Sequence, residues 1–138
     1  MLEAPDHFFT QSGVIPWRRR GDELEILLIS SRKRRRWVIP KGVKEPHLSA
    51  AASAAREALE EAGVEGAISS RSLGSYRYRK WGGVCTVEVF ALRVETILDD
   101  WPESSRQRAW LSPAEAARRV DEADLRRLIL KLEASLHR

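Results

Sequence analysis

Three glutamates crowd one short segment, Arg56-Glu57-Ala58-Leu59-Glu60-Glu61. On a helix the spacings i, i+3 and i+4 project Glu57, Glu60 and Glu61 from one face. Like charges so placed repel by roughly 0.2–0.5 kcal/mol per pair. Gly63 reads as the stop just beyond them, so the carboxylates also face the negative end of the helix dipole. A purely structural helix would carry lysine at some of these positions. A hard divalent cation, Mg²⁺ or Mn²⁺, resolves the conflict by taking several oxygen ligands from one side. An ordinary solvated acidic face is the competing reading, and three glutamates alone do not exclude it. The surroundings favour the cation: a glycine-containing loop precedes the helix, basic residues flank it, and Gly63 ends it at once.

Opposite charge gathers elsewhere. Lys and Arg number 24 against 20 Asp and Glu, a net charge of +4, but the basic residues are clustered. Trp17-Arg18-Arg19-Arg20 and Arg32-Lys33-Arg34-Arg35-Arg36 suit a polyanion: a polyphosphate, a nucleic acid or an acidic membrane surface. The run from Arg32 to Arg36 comes just before the glycine loop, where it would place positive charge at the mouth of an acidic site. A substrate rich in phosphate needs many cationic donors, and arginine grips phosphate oxygens in pairs. Reaction at phosphorus is mostly positioning and charge neutralisation, which a divalent cation supplies together with hydroxide near neutral pH.

Other residue types narrow the field. Cys85 is the only cysteine, which excludes an internal disulfide and a cysteine-based metal cluster. His7, His47 and His137 are scattered and read as neither ligand nor base. Tyr78 and Trp81, beside Gly82-Gly83, are the pair to watch for stacking on an adenine. Glu88 and Glu103 are candidates for a further metal ligand. Residues 1–10 read as a ragged start with no signal peptide, and no window resembles a membrane span, so a cytoplasmic protein is expected.

These side chains need a scaffold. A chain of 138 residues, 43% apolar and 32% charged with mixed sign, reads as one globular domain over 1–138. Strands are expected at Gly13–Trp17, Leu24–Ile29, Trp37–Ile39, Ala67–Arg79, Val84–Val94 and Ala109–Leu111, with a turn at Gly21-Asp22. The unbroken apolar run Leu24–Ile29 points to burial on both faces. Pro40, Gly42 and Pro46 mark a loop. Ser49 to Ala62 is the clearest helix, with Ser49 as N-cap. Ala51, Ala54 or Ala55, Ala58 and Ala62 form a stripe of small residues that would let it lie close on a sheet. Ser112-Pro113 opens a second helix, and Glu122–Leu136 forms a third with Leu125, Leu128, Ile129 and Leu132 on one face. The expectation is a mixed sheet with helices packed on it.

Gly42, followed by Arg56-Glu57-Ala58-Leu59-Glu60-Glu61-Ala62-Gly63-Val64, resembles the Nudix box, G-x5-E-x7-R-E-U-x-E-E-x-G-U with U a bulky aliphatic residue. Ala58 stands at a U position, and Leu48 stands where the first box glutamate belongs. The resemblance implies an α/β (α+β) fold, an α/β/α sandwich around a central mixed sheet. It implies metal ligation by Glu57, Glu60, Glu61 and the Lys41 backbone carbonyl, with Mg²⁺ or Mn²⁺ as cofactor. One of the glutamates, or water it orients, would activate the nucleophile, and Arg56 would hold the carboxylates by a salt bridge.

Beyond the box, Ile26–Arg32, Arg36–Pro40, Leu98–Ser104 and Arg106–Trp110 are similar to the diphosphoinositol polyphosphate phosphohydrolases. That group acts on diphosphoinositol polyphosphates and diadenosine polyphosphates. The resemblance makes Ser30, Arg32 and Arg106 the phosphate contacts. Arg36 and Lys41 join them as substrate-binding residues, with Arg79 and Lys80 as candidates by neighbourhood. The expected partner is a small polyphosphate, with nucleic acid less favoured, no membrane, and a monomer or homodimer. Alternatives remain: a pyrophosphohydrolase of nucleoside triphosphates, nucleotide sugars or RNA 5′ ends, or a non-catalytic polyphosphate- or RNA-binding module, because Leu48 interrupts the box.

Overall fold

The computed structural model describes residues 10–80 and 82–137. Eight strands form one mixed sheet: β1 (Thr10–Arg20), β2 (Glu23–Ser30), β3 (Trp37–Val38), β4 (Lys41–Val43), β5 (Val64–Ile68), β6 (Gly74–Lys80), β7 (Gly83–Ile97) and β8 (Arg108–Leu111). The main path is β3-β2-β1-β7-β5, with β4 on β1, β6 on β7 and β8 on β2. Among the described residues only the β1–β7 pairing is parallel, with Gly13 opposite Val89 and Ile15 opposite Ala91. Ser12 and Gly13 of β1 also pair antiparallel with Gly42 and Lys41, which carries the glycine loop onto the sheet.

Alternation along the central strands buries both faces. Val14, Leu27, Ile29, Phe90 and Leu92 point one way and pack against Ala54, Ala58 and Ala62. Ile15, Ile26, Leu28, Val87 and Val89 point the other way, against Ala116, Leu125, Leu128, Ile129 and Leu132. The first helix, α1 (Ala50–Glu57), lies on one side. The other two, α2 (Pro113–Arg119) and α3 (Ala123–Leu136), lie on the opposite side. The result is the α/β/α sandwich around a mixed sheet. The two apolar faces of β2 explain its unbroken run of Ile and Leu. Among the described residues no helix is long and apolar enough to cross a membrane.

Local signals behave as their chemistry requires. The Ser49 hydroxyl accepts the Ala52 N–H and caps α1, and the Ser112 hydroxyl accepts the Glu115 N–H ahead of Pro113. Three expectations need correction. The Pro40–Pro46 stretch is not all loop, because β4 forms there by pairing with β1. The single strand expected at Ala67–Arg79 is two, β5 and β6, which occupy different parts of the 15-residue β7. The helix is not uniform: α1 widens into a π-helical turn over Ala58–Ala62 before Gly63 turns left-handed at φ +67°.

The alanine stripe sets how near the helix sits. Ala54, Ala58 and Ala62 are wholly buried, whereas Ala55 is not. Ala58→Leu should destabilise the fold by about 1–3 kcal/mol through overpacking, and Ala55→Leu by less. Urea denaturation of the two variants checks this; a wild-type midpoint for Ala58→Leu would show that the face is not tightly packed.

Candidate active site

Two adjoining cavities open beside the π turn and share Arg32, Lys41, Lys80 and Arg106. One, of about 440 Å³, is lined by Glu57, Glu60, Glu61 and Glu103 together with Gln11, Gly42, Val43 and Tyr78. The other, of about 460 Å³, is lined by Ser31, Lys33, Arg35, Arg36 and Val38 besides the shared four. A carboxylate pocket thus adjoins a cationic one across the shared Arg32, Lys41, Lys80 and Arg106.

The box residues build the acidic wall. A side chain at position 42 would collide with the Glu57 carboxylate, so glycine there lets Glu57 rest against the backbone beside Lys41. Glu61 is 7% exposed and its Oε1 accepts the Lys41 N–H at 3.2 Å. Arg106 Nη2 stands 3.8 Å from the same oxygen. Glu60 is held by Arg56, whose Nε donates to Oε1 at 3.0 Å. Glu103, from the segment after β7, accepts from Arg106 Nε at 3.0 Å, with Arg32 Nε 3.7 Å away.

Crowding shows in the acidities. Burial, then the charges of Glu61, Glu60 and Glu103, pushes the Glu57 carboxyl up to about 7. Burial also raises Glu61, against the opposing pull of Arg106 and the Lys41 N–H. Lys41 is lowered by burial, against the pull of Glu61 and Glu122. As placed, no three of the described carboxylates converge on one point; Arg56 draws Glu60 outward, and Lys41 and Arg106 hold Glu61. The donor set still suits a hard divalent cation. Its side-chain donors are oxygens, their mutual repulsion is only partly relieved, and Gly42 leaves room for Glu57 next to the Lys41 peptide.

The cationic loop is organised by a residue that the sequence does not single out. The Ser31 hydroxyl accepts the Arg35 and Arg36 N–H groups at 3.2 and 3.4 Å, and its carbonyl accepts the Arg34 N–H at 2.7 Å. This closes the turn and orients Arg32, Lys33, Arg35 and Arg36 around the cavity. A serine opening a basic run is a known turn signal and could have marked it. Ser30, expected to touch phosphate, is 3% exposed, and its hydroxyl accepts the Gln107 N–H at 2.9 Å. It therefore anchors the segment that carries Arg106, whose Nη1 donates to the Ser30 carbonyl at 3.1 Å. On β6, Lys80 lines both cavities while Arg79 is exposed and lines neither. Arg36 faces Asp121 at 3.6 Å and Glu122 at 3.8 Å.

Of the remaining candidates, Tyr78 lines the carboxylate cavity. Tyr78 donates its hydroxyl to Gln11 at 2.6 Å and carries the Lys41 amine 5.0 Å from its ring centroid. Trp81 and His7 lie outside the described residues. Glu88 is exposed and lines neither cavity, nor do Leu48 and Glu45. In the other basic run, Arg18 pairs with Glu25 at 2.8 Å and stacks 3.9 Å over Trp110, and Arg19 donates to the Leu136 carbonyl. Those two side chains serve the fold.

The raised Glu57 carboxyl has a consequence for stability. A folded value above the ordinary 4.5 means that the native state holds the proton more tightly. Its contribution is complete below pH 4.5 and is lost as the pH rises through about 7. Without metal, the melting temperature should fall across that window, and Glu57→Gln should flatten the fall. An unchanged slope in the variant, measured calorimetrically with chelator, would contradict the assignment.

A family model described as NUDIX domain matches residues 9–132. Nudix hydrolase 12, mitochondrial, of Arabidopsis thaliana is 37% identical over 133 residues, covering 80% of this chain and 66% of that protein. Diphosphoinositol polyphosphate phosphohydrolase 3-beta of Bos taurus is 33% identical over 115 residues, covering 81% and 69%. The chain spans 66% or less of the first three curated relatives it matches. A crystal structure of a C. elegans Ap4A hydrolase binary complex shares the fold, with a TM-score of 0.81 at 22% identity over 94% of this chain and 98% of that one. With the segment from Gly42 to Val64 inside the matched span, the chain belongs to the Nudix family.

Proposed function

We propose that this chain is a divalent-metal-dependent hydrolase of phosphoanhydride bonds in a highly phosphorylated small molecule, a diphosphoinositol polyphosphate or a diadenosine polyphosphate. The observation that carries this reading is the shared wall: the cavity lined by Glu57, Glu60, Glu61 and Glu103 shares Arg32, Lys41, Lys80 and Arg106 with one also lined by Lys33, Arg35 and Arg36. Carboxylates alone would repel a phosphate, and arginines alone would bind without cutting. Side by side they divide the work between a cation site and a phosphate cradle. The names of the bovine relative and of the C. elegans neighbour support the substrate class.

Glu57, Glu60, Glu61 and the Lys41 carbonyl would hold Mg²⁺ or Mn²⁺. Bound there, the ion would neutralise phosphate charge and acidify water near neutral pH. The chain's own residues do the rest. One of the glutamates accepts the proton of the attacking water. Arg56 keeps Glu60 from swinging free. Arg32, Arg36, Lys41 and Lys80 compensate the charge left on the departing phosphate, and Arg106 does so while holding Glu61 and Glu103.

The second reading, a non-catalytic polyphosphate- or RNA-binding module, rests on Leu48. Its position outside both cavities supports the catalytic reading, because the carboxylates of the wall do not depend on it. Pyrophosphohydrolysis of nucleoside triphosphates, nucleotide sugars or RNA 5′ ends is a variant of the same chemistry. We place the chain, as one domain over 1–138 and as monomer or homodimer, in the cytoplasm on its lone buried cysteine, although several relatives carry mitochondrial or chloroplastic names.

A substrate panel with Mg²⁺ and Mn²⁺ tests the proposal. Turnover should be greatest on the polyphosphorylated compounds, vanish in chelator, and fall about 100-fold or more in Glu61→Gln. Leu48→Glu should leave the rate within about threefold, as a change outside the site does. Tight binding with no turnover by wild type, or strong activation by Leu48→Glu, would favour the binding module.

A further inference from the structure

The end of the box helix is finished by another part of the chain. The Gly63 N–H takes the carbonyls of Ala58 and Leu59. The next four carbonyls are met in turn by residues 98–108. The Glu103 N–H donates to Glu60 at 3.0 Å, Trp101 Nε1 to Glu61 at 3.1 Å, Arg108 Nη1 to Ala62 at 3.2 Å, and the Leu98 N–H to Gly63 at 2.8 Å. Arg108 also donates to the Leu98 carbonyl at 2.9 Å and stacks 4.0 Å over the Trp101 ring. That ring covers Gly63 so closely that a Cβ there would come within 2.7 Å of it. The same segment brings Glu103 and Arg106 to the carboxylate pocket, where Arg106 faces both Glu103 and Glu61.

Glu61 is thus held twice by one segment: by its carbonyl through Trp101 and by its carboxylate through Arg106. We infer that Trp101 is a positioning residue for the cation site, its indole N–H fixing the π turn so that Glu61 and Glu103 face one pocket. This rests on the metal-dependent reading above. It follows that docking of residues 98–108 and cation binding are coupled. A cation held by Glu61 in the pocket that Glu103 also lines favours the docked segment, and the docked segment raises cation affinity by the same factor.

The test uses the whole chain and Mn²⁺. Trp101→Phe keeps a ring over Gly63 but removes the donor to Glu61. Trp110→Phe, on β8 and in neither cavity, controls for general loss of stability. Calorimetric titration should show Mn²⁺ bound about fivefold more weakly by Trp101→Phe, the effect of one lost neutral hydrogen bond, and unchanged by Trp110→Phe. In wild type, hydrogen exchange by mass spectrometry should show Mn²⁺ increasing protection at Leu98 and Glu103, a measurement that needs no variant. Wild-type Mn²⁺ affinity in Trp101→Phe, an equal loss in Trp110→Phe, or protection of Leu98 and Glu103 indifferent to Mn²⁺ would overturn the inference. Failure of the wild-type protein to bind Mn²⁺ at all would instead overturn the metal reading beneath it.

Discussion

Mutual repulsion among carboxylates is the constraint that organises this molecule. Glu57, Glu60, Glu61 and Glu103 line one cavity, and burial sharpens their conflict enough to carry the Glu57 carboxyl up to about 7. Every neighbour of the group answers that conflict in part. Arg56 takes Glu60, Arg106 faces Glu61 and Glu103, and the Lys41 N–H takes Glu61. Gly42 leaves space for Glu57. These contacts confine the charge only in part, and the Glu57 carboxyl stays raised. The protein supplies part of an electrostatic solution, and under the proposed function a divalent ion would complete it.

The scaffold serves this arrangement from both sides of the sheet. β1 is the common support: it pairs with β7 in parallel and with β4 antiparallel, so the glycine loop and the two-faced core share one strand. Small alanines let α1 settle on Val14, Leu27 and Phe90. That nearness brings the glutamates over the Lys41 peptide. On the far side, α3 lines neither cavity, but Glu122 at its start stands 3.8 Å from Arg36 in the cationic loop.

Much of this was legible in the residues, and the misses share a cause. The two-faced strands, the serine caps and the alanine stripe are local patterns with local physics, and they appear where periodicity and capping place them. β4 was illegible because three residues become a strand only by finding β1. The break between β5 and β6 depends on how both share β7. At the site, the glutamates stand out by their spacing; Ser31, which lines a cavity beside buried Ser30, carries no such mark, and of the candidates Arg79 and Lys80 only Lys80 lines the cavities. Direction alternates residue by residue in an extended chain, so the face depends on which side of the sheet the site occupies. The π turn had no local sign at all, since Ala-Leu-Glu-Glu-Ala is good α-helix sequence. Its cause lies some forty residues away.

That distant cause changes what counts as the unit of inheritance. An ideal α-helix advances about 100° per residue, so tightening the π turn to α geometry would swing Glu60 and Glu61 away from their present bearing. The bearing is stored in the donors of residues 98–108 rather than in the helix. A transplant of residues 42–64 into another sheet would carry Glu57, Glu60 and Glu61 but leave Glu103 behind and lose their aim. The smallest portable version of this site is two separated pieces of chain, and drift in either constrains what the other is free to become.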